Sequence, residues 1–112
     1  MTDVADMAAV LSRVMRGREG TCATFTVRGD PGRWVQFVDG QVNMASFAVS
    51  PPKAVVEALG PAAIVAFQPR KYLTVRLVAQ DPYEVAGWIH GYFLKALDAP
   101  EGFLFDADIE QL

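Results

Sequence analysis

The chain has 112 residues, 52% of them hydrophobic, with ten basic and thirteen acidic side chains, one cysteine and one histidine. One domain is expected at this length. A net charge of −3 argues against nucleic acid as a partner, a single cysteine excludes an internal disulfide, and no run approaches the ~18 consecutive apolar residues of a membrane span.

The charge is unevenly placed. Residues 1–79 hold nine basic and six acidic groups, residues 80–112 one basic and seven acidic. The C-terminal third therefore presents either a solvated acidic face or an acidic rim that guides a basic partner segment. The first ten residues, MTDVADMAAV, carry acids where an export signal carries basic residues, so a cytoplasmic location is expected.

In chain order, residues 3–16 read as an amphipathic helix, with Val4, Met7, Ala8, Leu11, Val14 and Met15 at helical spacing and Gly17 as a stop. Thr21 to Arg28 alternates as a strand, and Gly29-Asp30-Pro31-Gly32 is turn chemistry. Arg33 to Val38 and Gln41 to Phe47 flank Asp39-Gly40, a dipeptide preferred in two-residue hairpin turns. That turn pairs Phe37 with Val42 and Val35 with Met44 on one face. Val38 pairs with Gln41, Gln36 with Asn43 and Trp34 with Ala45 on the other, which is mixed where a solvent face is cleanly polar.

A short helix over about 52–59 follows Pro51-Pro52 and stops at Gly60-Pro61. Ile64 to Phe67 and Lys71 to Ala79 form a second strand pair. A turn centred on Pro69-Arg70 places Phe67 and Tyr72 on the second face. Residues 81–97 form the longest helix, with Asp81 as cap, Pro82 at its first position and Glu84 completing a capping box. Its apolar residues cover most of its circumference, more than the roughly 100° stripe of a surface helix. Gly87 and Gly91 share one face, and each costs about 1 kcal/mol of helix propensity, so the pair needs a packing reason. After Pro100, Phe103, Phe105, Ala107 and Ile109 alternate with Asp106, Asp108 and Glu110, as a short edge strand or an extended arm.

The expected architecture is α+β: a single domain (1–112, with core 1–99 and tail 100–112) built on one antiparallel five-stranded sheet with helices on one face, in the order α-β-β-β-α-β-β-α. No catalytic, metal or cofactor-binding residues are assigned. His90 lies mid-helix among aromatics and Cys22 within a strand, and each reads as a structural residue rather than as a zinc ligand or a nucleophile. Asp106, Asp108 and Glu110 resemble fragments of a calcium loop but lack its glycine turn and its spaced bidentate Glu.

The element order, the strand Trp34-Val35-Gln36-Phe37-Val38 running into Asp39-Gly40, and the aromatic helix with Trp88, Tyr92 and Phe93 resemble the type III secretion chaperone-like superfamily, including its YbjN-type and TY-Chap relatives. The resemblance covers roughly residues 3–97. It implies a homodimer that binds partner proteins and carries no catalytic residues. The reading is thus a non-enzymatic, chaperone- or adaptor-like module that binds a partner protein segment through apolar surface. Val85, Gly87, Trp88, Ile89, Gly91 and Tyr92 are the expected dimer interface, and Trp34, Val38, Phe47, Phe67 and Tyr72 the expected partner contacts. The alternative is a small-molecule sensor with a pocket between sheet and helix.

Overall fold

In the computed structural model, which describes residues 3–112, the chain runs α1 (Val4–Met15), β1 (Thr21–Val27), β2 (Asp30–Val38), β3 (Gln41–Ala45), α2 (Lys53–Leu59), β4 (Ala62–Gln68), β5 (Tyr72–Leu77), α3 (Pro82–Lys95) and β6 (Phe105–Gln111). Met1 and Thr2, which belong to the expected 1–112 domain and its N-terminal reading, lie outside the described residues.

The Asp39-Gly40 turn sets the middle of the sheet. Type I′ turns need positive φ at both central residues, and these two have φ of 48° and 78°. The register is the expected one: Val38 opposite Gln41, Phe37 opposite Val42, Gln36 opposite Asn43 and Val35 opposite Met44. Asp39 also reaches across to the next loop, where both carboxylate oxygens accept from the Gly20 amide at 3.3 and 3.1 Å.

The sheet has six antiparallel strands in the order β4-β5-β3-β2-β1-β6, one more than expected. The sixth is the C-terminal tail, paired along the whole of β1 from Val27↔Phe105 to Thr21↔Gln111. It docks because its alternation turns Phe105 into the core, where the ring meets Phe25 edge-on with centroids 5.8 Å apart. Phe103 is buried as well, so the core does not stop at residue 99.

A second correction concerns the β4–β5 turn. Gln68 pairs with Tyr72, leaving three residues in the loop, with Arg70 at φ 59°. One extra loop residue shifts the register by one and exchanges the faces. Phe67 therefore lies opposite Leu73 on the core face, while Tyr72 stays on the other.

The core lies between one sheet face and the helices. Ala23, Phe25, Val35, Phe37, Val42, Met44, Leu73 and Val75 meet Met7, Leu11 and Val14 of α1 and Val85, Ile89, Tyr92 and Phe93 of α3. Both long helices are capped as their sequences require. Asp3 accepts from the Asp6 amide at 2.9 Å, and Asp81 from the amides of Tyr83 and Glu84 at 3.0 and 3.2 Å. Tyr92 ties α3 to the sheet by donating its hydroxyl to the Ala45 carbonyl at 2.8 Å. Burial pushes the pKa of that phenol up to about 12, against a smaller lowering by Ser46.

Candidate functional site

The face of the sheet turned away from the core is crossed by continuous rows. One runs Ala66, Thr74, Asn43, Gln36, Thr24, Asp108 from β4 to β6. The next runs Ala63, Arg76, Gln41, Val38, Cys22, Glu110. Toward the other end of the strands, Tyr72 stands beside Ala45, and Trp34 beside Thr26, which in turn neighbours Asp106.

The middle of this face is bonded to itself. Thr74 Oγ1 donates to Asn43 Oδ1 at 2.8 Å, and Asn43 Nδ2 donates to Gln36 Oε1 at 3.1 Å. Gln36 Nε2 then points at Cys22 Sγ, 3.9 Å away. Around this polar strip, Trp34 and Val38 are half-buried and Tyr72 is 37% exposed. Phe47 lies beyond the end of β3 and is 50% exposed, with the Arg33 guanidinium 5.4 Å from its ring centroid. Of the five expected partner contacts, then, Trp34, Val38 and Tyr72 share the open face, Phe47 sits beyond it, and Phe67 faces the core.

Charge on this face is sorted by edge. Asp106, Asp108 and Glu110 stand on β6 at one side. Arg76 stands on β5 at the other, with Arg70 and Lys71 in the adjoining turn. Asp106 is held by Arg28 at 2.9 Å. No group of three or more His, Cys, Asp or Glu side chains among the described residues comes together as a metal site. Cys22 belongs to the open face and is fully buried, whereas His90 belongs to α3 on the other side of the sheet, stacked on Phe103 at 5.1 Å.

The expected helix seam is corrected by burial. Val85, Ile89 and Tyr92 have no exposed surface in the single chain and Trp88 only 3%, so they are already spent on the core. Trp88 and Tyr92 stack on each other with an interplanar angle of 6°. Gly91 has its close neighbour within the chain: a Cβ there would lie 2.6 Å from Leu59 Cδ2 of α2. Gly87 is different, because a Cβ on it would meet nothing within 4 Å.

Open clefts flank the helical layer, and two bear on the site. One, of about 460 Å³, lies between the end of α1, the Asp39-Gly40 turn and the chain leaving β5, over Val14, Phe37 and Leu77. The other, of about 330 Å³, lies between α2 and α3 and is lined by Leu59, Pro61, Glu84, Gly87 and Trp88. Trp88, which lines the second, has its indole Nε1 buried with no acceptor among the described residues.

The parts define an α+β domain with one covered and one uncovered sheet face. No family model, curated protein or solved structure matches the chain. Among the described residues no helix is long and apolar enough to cross a membrane.

Sequence reasoning found the mixed character of the second face but not the bonded Thr74–Asn43–Gln36 strip. That strip needs the β3–β5 pairing, which joins strands separated by a helix and another strand. It also missed the sorting of charge by edge, which depends on β6 docking beside β1.

Proposed function

We propose that the protein is a non-enzymatic, cytoplasmic interaction module of the chaperone or adaptor kind, that it works as a homodimer, and that the open sheet face is its contact surface. The observation that carries this reading is that face itself. It is neither core nor ordinary solvent surface. Aromatic and aliphatic side chains surround polar groups that are already bonded to one another. A partner can cover such a strip without orphaning its donors, which removes much of the desolvation cost of burying polar groups.

A second copy is the occupant that the charges favour. A two-fold axis running along the strands lays each copy's β6 edge over the other's β4–β5 edge. Glu110 then approaches Arg76 of the partner subunit, since both stand in the same row, and Asp106 approaches the end that carries Arg70 and Lys71. An axis across the strands would stack acid on acid. Isologous contacts are self-complementary in the first way only. Six strands of about seven residues give a face of about 600 Å², approaching the ~800 Å² per partner of a standard interface. Light scattering after size exclusion should show a dimer, and Trp34→Glu with Val38→Glu should give a folded monomer. A wild-type chain that stays monomeric at the highest attainable concentration would remove the dimer.

A second reading, a small-molecule sensor, is favoured by the 460 Å³ cleft between α1 and the end of the sheet. Its volume lies within the range of ligand sites. A thermal shift with a metabolite library, abolished by Leu77→Trp and unaffected by the sheet-face substitutions, is its expected signature.

A further inference from the structure

The cleft between α2 and α3 combines three features that packing of the chain leaves unexplained. First, Trp88 is 97% buried, yet its Nε1 meets no acceptor among the described residues. Buried polar groups are nearly always bonded, so an orphan donor calls for a partner. Its place is defined: the neighbouring indole atom Cδ1 lies 3.5 Å from where a Cβ on Gly60 would stand, at the wall of the cleft. Second, Gly87 interrupts the middle of a long helix although nothing lies within 4 Å of its missing side chain. Gly91, on the same helix, has Leu59 to account for it. The space above Gly87 is the cleft. Third, Glu84 lines the same cleft four residues before Trp88, so the carboxylate-bearing and indole-bearing positions are about 6 Å apart along the helix axis, on the same side of α3, with Leu59 and Pro61 also lining the cleft.

We propose that this cleft holds one branched aliphatic residue of a partner protein segment. The side chain fills the space over Gly87, the backbone carbonyl accepts from Trp88 Nε1, and the backbone N–H donates to Glu84. The pairing follows from what each wall offers: a lone N–H calls for a carbonyl, a carboxylate for an N–H, and a peptide unit supplies both. At about 330 Å³ the cleft has room for one aliphatic side chain, and its open side lets the chain that carries that residue continue past it. The inference goes beyond the homodimer reading and does not depend on it, because the cleft lies on the helical layer and the proposed dimer surface on the opposite sheet face.

The test uses the full chain labelled with ¹⁵N. Its two tryptophans give two indole cross-peaks, and Trp34→Phe identifies that of Trp88. Titration with N-acetyl-leucine methylamide should move the Trp88 peak downfield to saturation in the millimolar range and leave the Trp34 peak in place. N-acetyl-glycine methylamide should move it at least tenfold less. Gly87→Leu should abolish the response while keeping the wild-type circular dichroism spectrum, since leucine is the better helix former and meets no neighbour there. Glu84→Gln should weaken binding several-fold without moving the free peak.

Equal responses to the two amides, or no response, would overturn the proposal. So would a free-state Trp88 peak that moves on Glu84→Gln, which would make Glu84 the internal acceptor. A response to 4-methylpentanoate as large as that to the leucine amide would also overturn it, in favour of a small-molecule site. Charge reversal at Glu110 should leave the titration unchanged, which separates failure here from failure of the dimer.

Discussion

One sheet presents two faces built by the same alternation, and they answer to different demands. On the covered face, Phe25, Val35, Val42 and Val75 have no exposed surface and belong to the apolar core. One residue away on each strand, Thr24, Gln36, Asn43 and Thr74 form the open face, where the polar groups of β2, β3 and β5 bond across the strands. The covered face gains its stability from burial. The open face is held together laterally, so its order does not depend on being covered. A surface of that kind can be exposed in one state and buried in another without refolding, which is what a contact surface requires.

The largest expected effect breaks the comparison most directly. Phe25→Ala removes a fully buried ring and should cost about 3–5 kcal/mol of unfolding free energy. Thr24→Ala, on the next residue, should cost about 0.5 kcal/mol. Urea titration of the two variants measures both. Similar losses would mean that the open face is a second core and not a surface.

The two glycines of α3 sharpen it next. Gly91→Leu overpacks the α2–α3 contact and should destabilise the chain by about 1–3 kcal/mol. Gly87→Ala gains helix propensity with nothing in the way and should stabilise it by about 1 kcal/mol. Thermal melts that rank the two the other way would misplace the seam. The edge charges come third. Glu110→Lys should weaken the proposed dimer several-fold, because exposed pairs contribute about 0.2–1 kcal/mol each and every pair occurs twice in an isologous contact. Adding Arg76→Glu should restore it, read as the concentration of half-dissociation.

How far these contrasts could be read beforehand follows from where the physical information sits. The β2–β3 hairpin was legible in its turn and in four of its five expected pairs, because Asp39-Gly40 fixes turn type, loop length and register within ten residues of chain. The expected Trp34–Ala45 pair is absent, β3 ends at Ala45, and β2 starts at Asp30, inside the stretch read as a turn. The β4–β5 hairpin was legible as a hairpin, but Pro69-Arg70 fits loops of two or three residues equally well. Arg70 adopts positive φ and its amide bonds the Ala48 carbonyl at 2.9 Å, a contact from a distant loop that decides the length. That single residue moved Phe67 from the open face to the core. The sixth strand was legible only as alternation, because its partner β1 lies about eighty residues earlier. The apolar girth of α3 was legible too, and packing within the single chain already buries it. Sheet, α1 and α2 each take a share of the helix within one chain, and Gly91 marks the contact with α2.

The smallest expected effect tests the helical layer alone. His90 is the only histidine, and histidine is the side chain whose unperturbed pKa lies near 6.5. Burial lowers its pKa, and the attraction of Asp3 at the N-terminus of α1 offsets part of that lowering. Just below pH 6.5 the unfolded chain therefore binds more protons at this site than the folded one. Stability should rise with pH through that window and decline as pH falls below it. His90→Gln should flatten this slope between pH 5 and 7. Asp3→Asn keeps the helix cap but removes the attraction, so it should lower the His90 pKa further and steepen the slope. An imidazole NMR titration that places His90 at or above 6.5 would contradict the partial burial of its ring against Phe103, while leaving the open sheet face untouched.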